Sequence, residues 1–287
     1  MKFGVIPPYG IAPLESGEFA IEFARLAEHH GFESLWVVEH VIMPVSYDSV
    51  YPYDPSGRTP FSAQTVQPDP LIWLSHVAAA TERIRLATGV LVLPQRNPLV
   101  LAKELASLDR LSGGRVELGI GLGWVREEAE AVGTDFDNRG RRADEYVDVM
   151  RTLWREPVAR FDGEFVRFAD VVSEPRPAQD GGVPIVVGGH TRAAARRAGR
   201  LGDGFFPLGV TPDKMNELRR FMNDAAHDAD RDASAIEITT VAAPDEKGLE
   251  YARALGVDRM IVAATQPDLA AAGAWMERFA ADVMGTA

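Results

Sequence analysis

The chain alternates between short apolar runs and amphipathic segments. Lys2–Pro7 is an apolar run that a double proline stops, and Ser34–Val38 is a second such run. Runs of this kind are typical of buried strands. Between them, Phe19, Phe23 and Leu26 recur at i, i+4 and i+7, the spacing of one helix face. The pattern therefore predicts a strand, a helix and a second strand.

The same alternation continues to the end of the chain. Further strands are predicted over Ile84–Leu93, Arg115–Ile120, Pro184–Val187, Gly204–Phe206, Ile236–Val241 and Met260–Ala263. Further helices are predicted over Leu71–Ala80, between Asn97 and Gly113, around Tyr146–Leu153, and over Thr191–Leu201, Pro212–Ala226, Leu249–Leu255 and Leu269–Phe279. About eight strand–helix units imply parallel strands joined by crossover helices.

The chain length selects among the folds of this class. A (β/α)8 barrel takes roughly 250 residues as one domain, and this chain has 287. We therefore predict an α/β fold, a single TIM-barrel domain over residues 1–287, rather than a doubly wound sheet. Two insertions are predicted within it. Residues 41–67 form a lid-like segment with Tyr47 and Tyr51 as pocket walls, and residues 157–183 form a hairpin with Asp162-Gly163 as its turn.

Composition excludes several classes of function. Cysteine is absent, so disulfides, cysteine-ligated metals and a catalytic thiol are excluded. The net charge is −12, which does not suit nucleic acid. No histidine has a neighbour at metal-ligand spacing, so we expect no metal site. Neither a signal peptide nor an apolar run of membrane-spanning length is evident. We expect a cytoplasmic protein, without a membrane partner, that acts on a small molecule.

Two positions at the ends of predicted strands draw attention because barrel active sites lie there. His40 follows the second strand, where a histidine can serve as acid, base or hydrogen-bond donor near neutral pH. The alternative is a histidine that only satisfies a loop carbonyl. Gly89-Val90 interrupts the third strand, as at a bulge or a close approach. The alternative there is a glycine required by packing.

A glycine-rich turn follows the fourth strand. Gly119, Gly121 and Gly123 approach the dinucleotide-binding fingerprint, but Trp124 occupies the position of its last glycine. An NAD-dependent Rossmann reductase is therefore disfavoured. We expect Gly121 and Gly123 to present N–H groups to a cofactor at the mouth of the barrel.

A second glycine pair follows the fifth strand. Gly188 and Gly189 lead through His190 and Thr191 into a helix. Free N–H groups and the helix dipole at such a start favour an anion, so the segment predicts a phosphate cradle. The alternative is a plain short loop that Thr191 caps.

Taken together, these segments resemble the bacterial luciferase-like monooxygenase family, whose members are flavin-using barrels. The resemblance is carried by residues 83–98, 108–124, 184–189 and 200–205. Within the family the chain is most similar to the branch that uses coenzyme F420, a deazaflavin hydride carrier common in actinobacteria. The resemblance implies a deazaflavin or FMN cofactor, and it is compatible with a homodimer.

The resemblance also implies roles for individual residues. Glu39 and His40 stand where that branch has an acid–histidine pair facing the cofactor ring. Gly89-Val90 matches a cis peptide behind the ring, and Gly188-Gly189 matches the phosphate loop.

Two departures separate this chain from the sugar-phosphate dehydrogenases of the branch. They have a catalytic glutamate where this chain has Trp124, which we therefore predict to line the substrate pocket. The lysine with which they hold the substrate phosphate, a few residues past Gly204-Phe205, has no counterpart near Val210. A sugar phosphate is thus disfavoured, and Glu127 or Glu128 becomes a candidate partner for His40 in proton transfer.

We therefore expect an oxidoreductase that transfers a hydride between F420 and a small organic substrate. The alternatives are an FMN-dependent luciferase-like monooxygenase and a flavin-binding protein without turnover. Arg192, Arg196 and Arg197 lie just past the predicted phosphate loop, within reach of the anionic tail that distinguishes F420 from FMN.

Overall fold

The computed structural model describes residues 1–286 and contains a main parallel sheet and a separate hairpin. The strands are β1 (Lys2–Ile6), β2 (Ser34–Val37), β3 (Arg85–Thr88), β4 (Leu91–Val92), β5 (Val116–Gly121), β6 (Ala159–Asp162), β7 (Arg167–Val171), β8 (Ile185–Gly188), β9 (Gly204–Phe206), β10 (Glu237–Val241) and β11 (Arg259–Ala263). The helices are α1 (Gly17–His29), α2 (Pro70–Ala78), α3 (Pro98–Ser112), α4 (Arg126–Ala131), α5 (Arg139–Arg155), α6 (Arg192–Leu201), α7 (Pro212–His227), α8 (Glu246–Leu255) and α9 (Leu269–Asp282).

The main sheet closes on itself. Its strands follow the order β3-β2-β1-β11-β10-β9-β8-β5-β4, and β3 also pairs with β5. Every one of these pairings is parallel. The strands β3 and β4 are two parts of one strand position in the barrel. Counted together they give a barrel of eight strand positions, which we call staves, and each stave is followed by a helix. The predicted closed (β/α)8 barrel is confirmed.

The third stave is interrupted where the sequence indicated. One strand with a bulge at Gly89-Val90 was expected over Ile84–Leu93, and the structure divides it at that dipeptide into β3 and β4. The Gly89–Val90 peptide bond between them is cis, as the resemblance implied. The Gly89 N–H still donates to the carbonyl of Val37 at 2.7 Å. The interruption is therefore local and leaves the stave in register with β2.

Local signals set the helix boundaries that matter for the site. The Asn97 side chain caps α3 by accepting from the Leu99 N–H at 3.0 Å, and Gly113 ends that helix at φ +73°. Thr191 caps α6 by accepting from the Ala194 N–H at 3.1 Å. These caps agree with the sequence pattern.

The inside of the barrel holds a small apolar cluster that is separate from the main core under the helices. Trp36 and Phe206 meet edge-to-face there, with ring centroids 5.4 Å apart. Below them, at the amino-terminal end of the staves, Arg259 is only 2% exposed and stacks over Trp36. Its guanidinium donates to Glu117 at 2.8 Å and to Glu33 at 3.0 Å. An ion-paired plug thus closes the end of the barrel opposite the strand carboxyl ends.

The hairpin formed by β6 and β7 has a longer connection than expected. Asp162-Gly163 was predicted as its turn, but Asp162 pairs with Arg167 and residues 163–166 connect the strands. Glu145 of α5 explains the difference. Its carboxylate accepts from the N–H groups of residues 164, 165 and 166 at 2.7–2.8 Å and so supports the wider turn.

Within residues 1–286, no helix is both long and apolar enough to span a membrane.

Candidate active site at the barrel mouth

The loops that follow β2, β4, β5, β8 and β9 meet at one rim because all the staves are parallel. The residues that the sequence indicated after these strands therefore share one mouth. The longest of the loops is residues 38–69, which contain no helix or strand and carry the predicted lid-like insertion.

Val90 forms the floor of this mouth. A Cβ built on Gly121 would lie 2.6 Å from Val90 Cγ2, and one on Gly188 would lie 2.9 Å from Val90 Cγ1. Real side chains do not approach so closely, so the two glycines leave the space that the Val90 side chain fills. Gly121 and Gly188 were expected to contact a cofactor. The structure places them beneath Val90, where they support such contact through that side chain.

Gly123 has a related position. Its φ is +76°, and a Cβ there would meet Val92 Cγ1 at 2.8 Å. A glycine is thus required by both conformation and space.

The segment after β8 presents free donors, although not all of those expected. Gly189, at φ +120°, donates its N–H to the carbonyl of Phe206 at 3.1 Å, so that group is already used. Among the described residues, the N–H groups of His190 and Thr191 have no acceptor. The free backbone donors within the predicted cradle are therefore those of His190 and Thr191.

His190 is itself unusual. Its Nδ1 atom is buried and has no hydrogen-bond partner among the described residues. Burial, with Lys214 nearby, lowers the pKa of His190 below its ordinary value. With Tyr53 and Leu208 it lines a cavity of about 400 Å³ between the loop after β2 and the loops after β8 and β9.

Aromatic side chains connect the loop after β2 to the rest of the mouth. Trp124 meets Tyr47, Tyr51 and His40 edge-to-face, with ring centroids 5.4, 5.1 and 5.9 Å apart. Tyr51 contacts Tyr53, whose ring lies 4.9 Å from that of His190. The predicted pocket residues thus form one continuous cluster, which we call the aromatic bridge: His40, Tyr47, Tyr51, Tyr53, Trp124 and His190. Tyr53 belongs to the same predicted lid-like segment, from which only Tyr47 and Tyr51 were singled out as pocket walls.

His40 has a carboxylate partner, and it is Glu128 rather than Glu39. The Nδ1 atom of His40 lies 2.8 Å from Glu128 Oε2, and the Glu128 side chain is fully buried. Glu128 belongs to α4, the short helix after β5. Because α4 begins at the mouth, it brings this carboxylate under the end of β2.

Glu39 takes a different place from the one that the resemblance implied. It is 5% exposed, and its carboxylate accepts from the N–H of Val92 at 2.6 Å and from Arg96 Nε at 3.1 Å. Arg96 also donates to Asp69 at 2.7 Å. Burial raises the pKa of Glu39, and Arg96 opposes that shift. Adjacent residues of an extended segment point to opposite sides, so Glu39 holds β4 while His40 faces the aromatic bridge.

The three arginines at positions 192, 196 and 197 of α6 differ in their exposure to solvent. Arg197 is buried and ion-paired with Asp144 of α5, so it is not available to a cofactor tail. Its place on the inner face of α6 explains this. Arg192 and Arg196 lie on the exposed face, where both guanidinium groups stack over Phe221. Arg192 is also ion-paired with Glu217 at 2.7 Å, and Arg196 has no carboxylate partner among the described residues.

No cluster of metal-ligating side chains occurs among the described residues. The mouth brings together one histidine–carboxylate pair, an aromatic wall, the aliphatic side chain of Val90 and the free N–H groups of His190 and Thr191.

The fold and this arrangement of loops define the class of closed (β/α)8 barrels whose polar side chains meet at the carboxyl ends of the strands. The family follows from the sequence. Residues 1–282 match the model of the luciferase-like monooxygenase family, so the chain belongs to this family.

Individual relatives add detail. An uncharacterized protein of Mycobacterium tuberculosis is 34% identical over 261 residues, which cover 90% of this chain and 91% of that protein. The F420-dependent glucose-6-phosphate dehydrogenase of Segniliparus rotundus is 33% identical over 227 residues, which cover 76% of this chain and 61% of that enzyme.

Solved structures agree on the fold. A structure of an F420-dependent secondary alcohol dehydrogenase with an F420-acetone adduct has a TM-score of 0.76 at 18% identity, with 100% of this chain and 99% of that chain covered. The monooxygenase RslO1 from Streptomyces bottropensis has a TM-score of 0.75 at 23% identity, with the same coverage. At these identities the likeness shows the fold alone.

Proposed function

We propose that this protein is an F420-dependent oxidoreductase that transfers a hydride to or from an uncharged organic substrate at the barrel mouth. The observation that carries the proposal is the pair of His40 and Glu128 beside an aromatic wall, at the same rim of the barrel as Val90. Family membership and the relatives named as F420-dependent dehydrogenases support it.

The residues present fit a cofactor of this kind. The free N–H groups of His190 and Thr191 suit its phosphate. The φ of +120° at position 189 favours glycine, so no side chain at this position blocks access to them. Val90, with Gly121 and Gly188 beneath it, offers an aliphatic surface for a planar ring. When bound, a deazaflavin supplies a hydride donor or acceptor that reacts poorly with oxygen.

His40 handles the proton that accompanies the hydride. Interconversion of an alcohol and a carbonyl moves a hydride at carbon and a proton at oxygen. With Nδ1 held by Glu128, the Nε2 atom of His40 is left to exchange that proton with the substrate oxygen. The aromatic bridge excludes water from the reacting atoms. Glu39 acts at a distance by fixing the backbone of β4.

The charges around the aromatic bridge favour an uncharged substrate over a sugar phosphate. Arg58 donates to a backbone carbonyl at 3.2 Å and stacks over Tyr47. Arg96 and Arg126 are both ion-paired with carboxylates. Of these three, only Arg58 has no carboxylate partner among the described residues, so a phosphate monoester placed against Trp124 would meet a single unpaired guanidinium. We propose a secondary alcohol, ketone or related carbonyl compound as the substrate class.

Cofactor titration tests the proposal. We expect the purified protein to bind F420 more tightly than FMN, because Arg192 and Arg196, exposed on α6 just after the N–H groups of His190 and Thr191, would be within reach of its anionic tail. Exposed ion pairs contribute only about 0–1 kcal/mol each, so the preference should be moderate and should shrink as salt rises. Fluorescence titration of both cofactors at low and high salt measures this.

The same titration separates the alternatives. Equal or tighter binding of FMN would favour an FMN-dependent monooxygenase on this fold. Tight cofactor binding without any hydride transfer to a panel of ketones and alcohols would favour a flavin-binding protein without turnover.

A further inference from the structure

Two consecutive glutamates of α4 contact the loop after β2 at two separate points. Glu128 Oε1 accepts from the N–H of Val41 at 2.6 Å and of Ile42 at 3.3 Å, while its Oε2 contacts His40. One buried carboxylate therefore holds the start of the loop and the imidazole together.

The neighbouring carboxylate holds the loop farther along. Glu127 Oε1 accepts from the N–H of Asp48 at 2.6 Å, and Glu127 Oε2 accepts from the Ser49 hydroxyl at 2.7 Å. The Ser49 hydroxyl in turn accepts from the N–H of Arg126 at 2.9 Å. Tyr47 and Tyr51, on either side of this second anchor, are the residues that contact Trp124.

The two anchors have a chemical consequence at His40. A carboxylate only accepts hydrogen bonds, so a neutral imidazole beside Glu128 carries its proton on Nδ1. The oxygen atoms of Glu128 are shared between that proton and the loop N–H groups. Any movement that lifts residues 41–49 from α4 therefore also disturbs the partner that fixes the tautomer of His40.

We infer that Glu127 and Glu128 form a clasp, which couples the packing of residues 41–49 against α4 to the tautomer of His40. Glu128 is the positioning residue at the imidazole, and Glu127 is the second anchor that keeps the loop seated. This inference rests on the proposed role of His40 in proton transfer. The clasp itself needs neither cofactor nor substrate, so it can be measured apart from activity.

The test compares Glu127→Gln and Glu128→Gln with Glu130→Gln as the matched control. Glu130 lies on the same helix and is exposed, with only a 3.6 Å ion pair to Arg126. Nitrogen-15 NMR reports the His40 tautomer, assigned with His40→Gln. Hydrogen exchange by mass spectrometry reports the opening of residues 41–49. Both are measured on the full chain without ligand.

We expect Glu128→Gln to change His40 from one tautomer to a mixture, and to speed exchange at residues 41–42 by at least about fivefold. Glu127→Gln should speed exchange at residues 48–49 by a similar factor and also shift the His40 signal towards the mixture. Glu130→Gln should change neither. If Glu128→Gln does not fold, Glu128→Asp keeps the charge but withdraws it by one methylene, and Ser49→Ala weakens the second anchor.

Two results would overturn the inference. An unchanged His40 signal in the Glu128 variants would show that Glu128 does not position the ring. Faster exchange at residues 48–49 in Glu127→Gln or Ser49→Ala with an unchanged His40 signal would show that the two anchors act independently. Failure of F420 binding would instead count against the proposed function and would leave both measurements valid.

Discussion

Replacing Gly121 by Ala should damage the floor of the mouth without disturbing the barrel elsewhere. Gly121 is the last residue of β5, so its backbone is extended and tolerates a side chain. The obstacle is space, because the new Cβ would lie 2.6 Å from Val90 Cγ2, well below the 3.4 Å at which ordinary contact begins. The Val90 side chain must move, and overpacking of this kind costs about 1–3 kcal/mol.

The displaced side chain is the one proposed to support the cofactor ring. We therefore expect Gly121→Ala to weaken F420 binding by at least tenfold, about 1.4 kcal/mol, and to lower the free energy of unfolding by the amount given above. Fluorescence titration and urea unfolding measure the two effects. Gly285→Ala is the matched control. Its Cβ would have only an ordinary contact, at 3.7 Å, so its effect should stay within about 0.5 kcal/mol.

A double variant isolates the contact itself. Val90→Ala removes the Cγ atoms that the new Cβ meets. The loss of buried apolar surface should lower the free energy of unfolding by about 1 kcal/mol. Adding Gly121→Ala to Val90→Ala should then cost little, which gives a coupling free energy of about 0.5–3 kcal/mol between the two positions. Additive effects of the two substitutions, or wild-type binding by Gly121→Ala alone, would refute the assignment of Gly121 to the Val90 floor.

Three further predictions concern other parts of the molecule. Arg259→Met leaves the buried carboxylate of Glu117 without its main cation, so urea unfolding should show a loss of about 3–5 kcal/mol; a loss below about 1 kcal/mol would contradict the role of the plug. Hydrogen bonds, chiefly from Ser49, lower the pKa of Glu127 to about 2. Because the folded-state pKa is the lower one, this anchor contributes fully above about pH 4.5 and is lost as pH falls towards 2. The difference in stability between the wild type and Glu127→Gln should therefore be constant near neutral pH and fall steeply as the pH approaches 2, and a difference at pH 2 as large as the one at neutral pH would exclude the anchor. His40→Ala should reduce turnover by about 10²–10⁴ while F420 affinity stays within about tenfold; full turnover in this variant would remove His40 from the mechanism.

Much of the fold can be predicted from the sequence because the residues that begin and end each helix act locally. The cap at Asn97, the stop at Gly113 and the cap at Thr191 act within one helical turn, and each element is found where those residues place it. Parallel connection then follows from the strand–helix alternation. Once the strands are parallel, the residues after each strand must share one rim, which is why the sequence alone points to His40, Trp124 and His190.

The partners of those residues were decided by tertiary structure. His40 and Glu128 are 88 positions apart, and only the start of α4 beneath the end of β2 brings them together. The sequence allowed either Glu127 or Glu128 as the partner, and it set Glu39 beside His40 by adjacency alone. In the structure, the alternation of an extended backbone sends Glu39 to Arg96 instead.

The same division applies to the glycines and arginines of the site. The sequence shows that Gly121 and Gly188 follow strands, but only the closed barrel shows that Val90 occupies the space above both. Arg196 and Arg197 are adjacent residues of the same type, so the sequence does not distinguish them. In the structure α5 packs against α6 and buries Arg197 against Asp144. Sequence thus determined which elements form and which rim they share, because these depend on neighbours a few residues away. Tertiary structure decided which side chains pair, because pairing depends on contacts between staves and helices far apart in the chain.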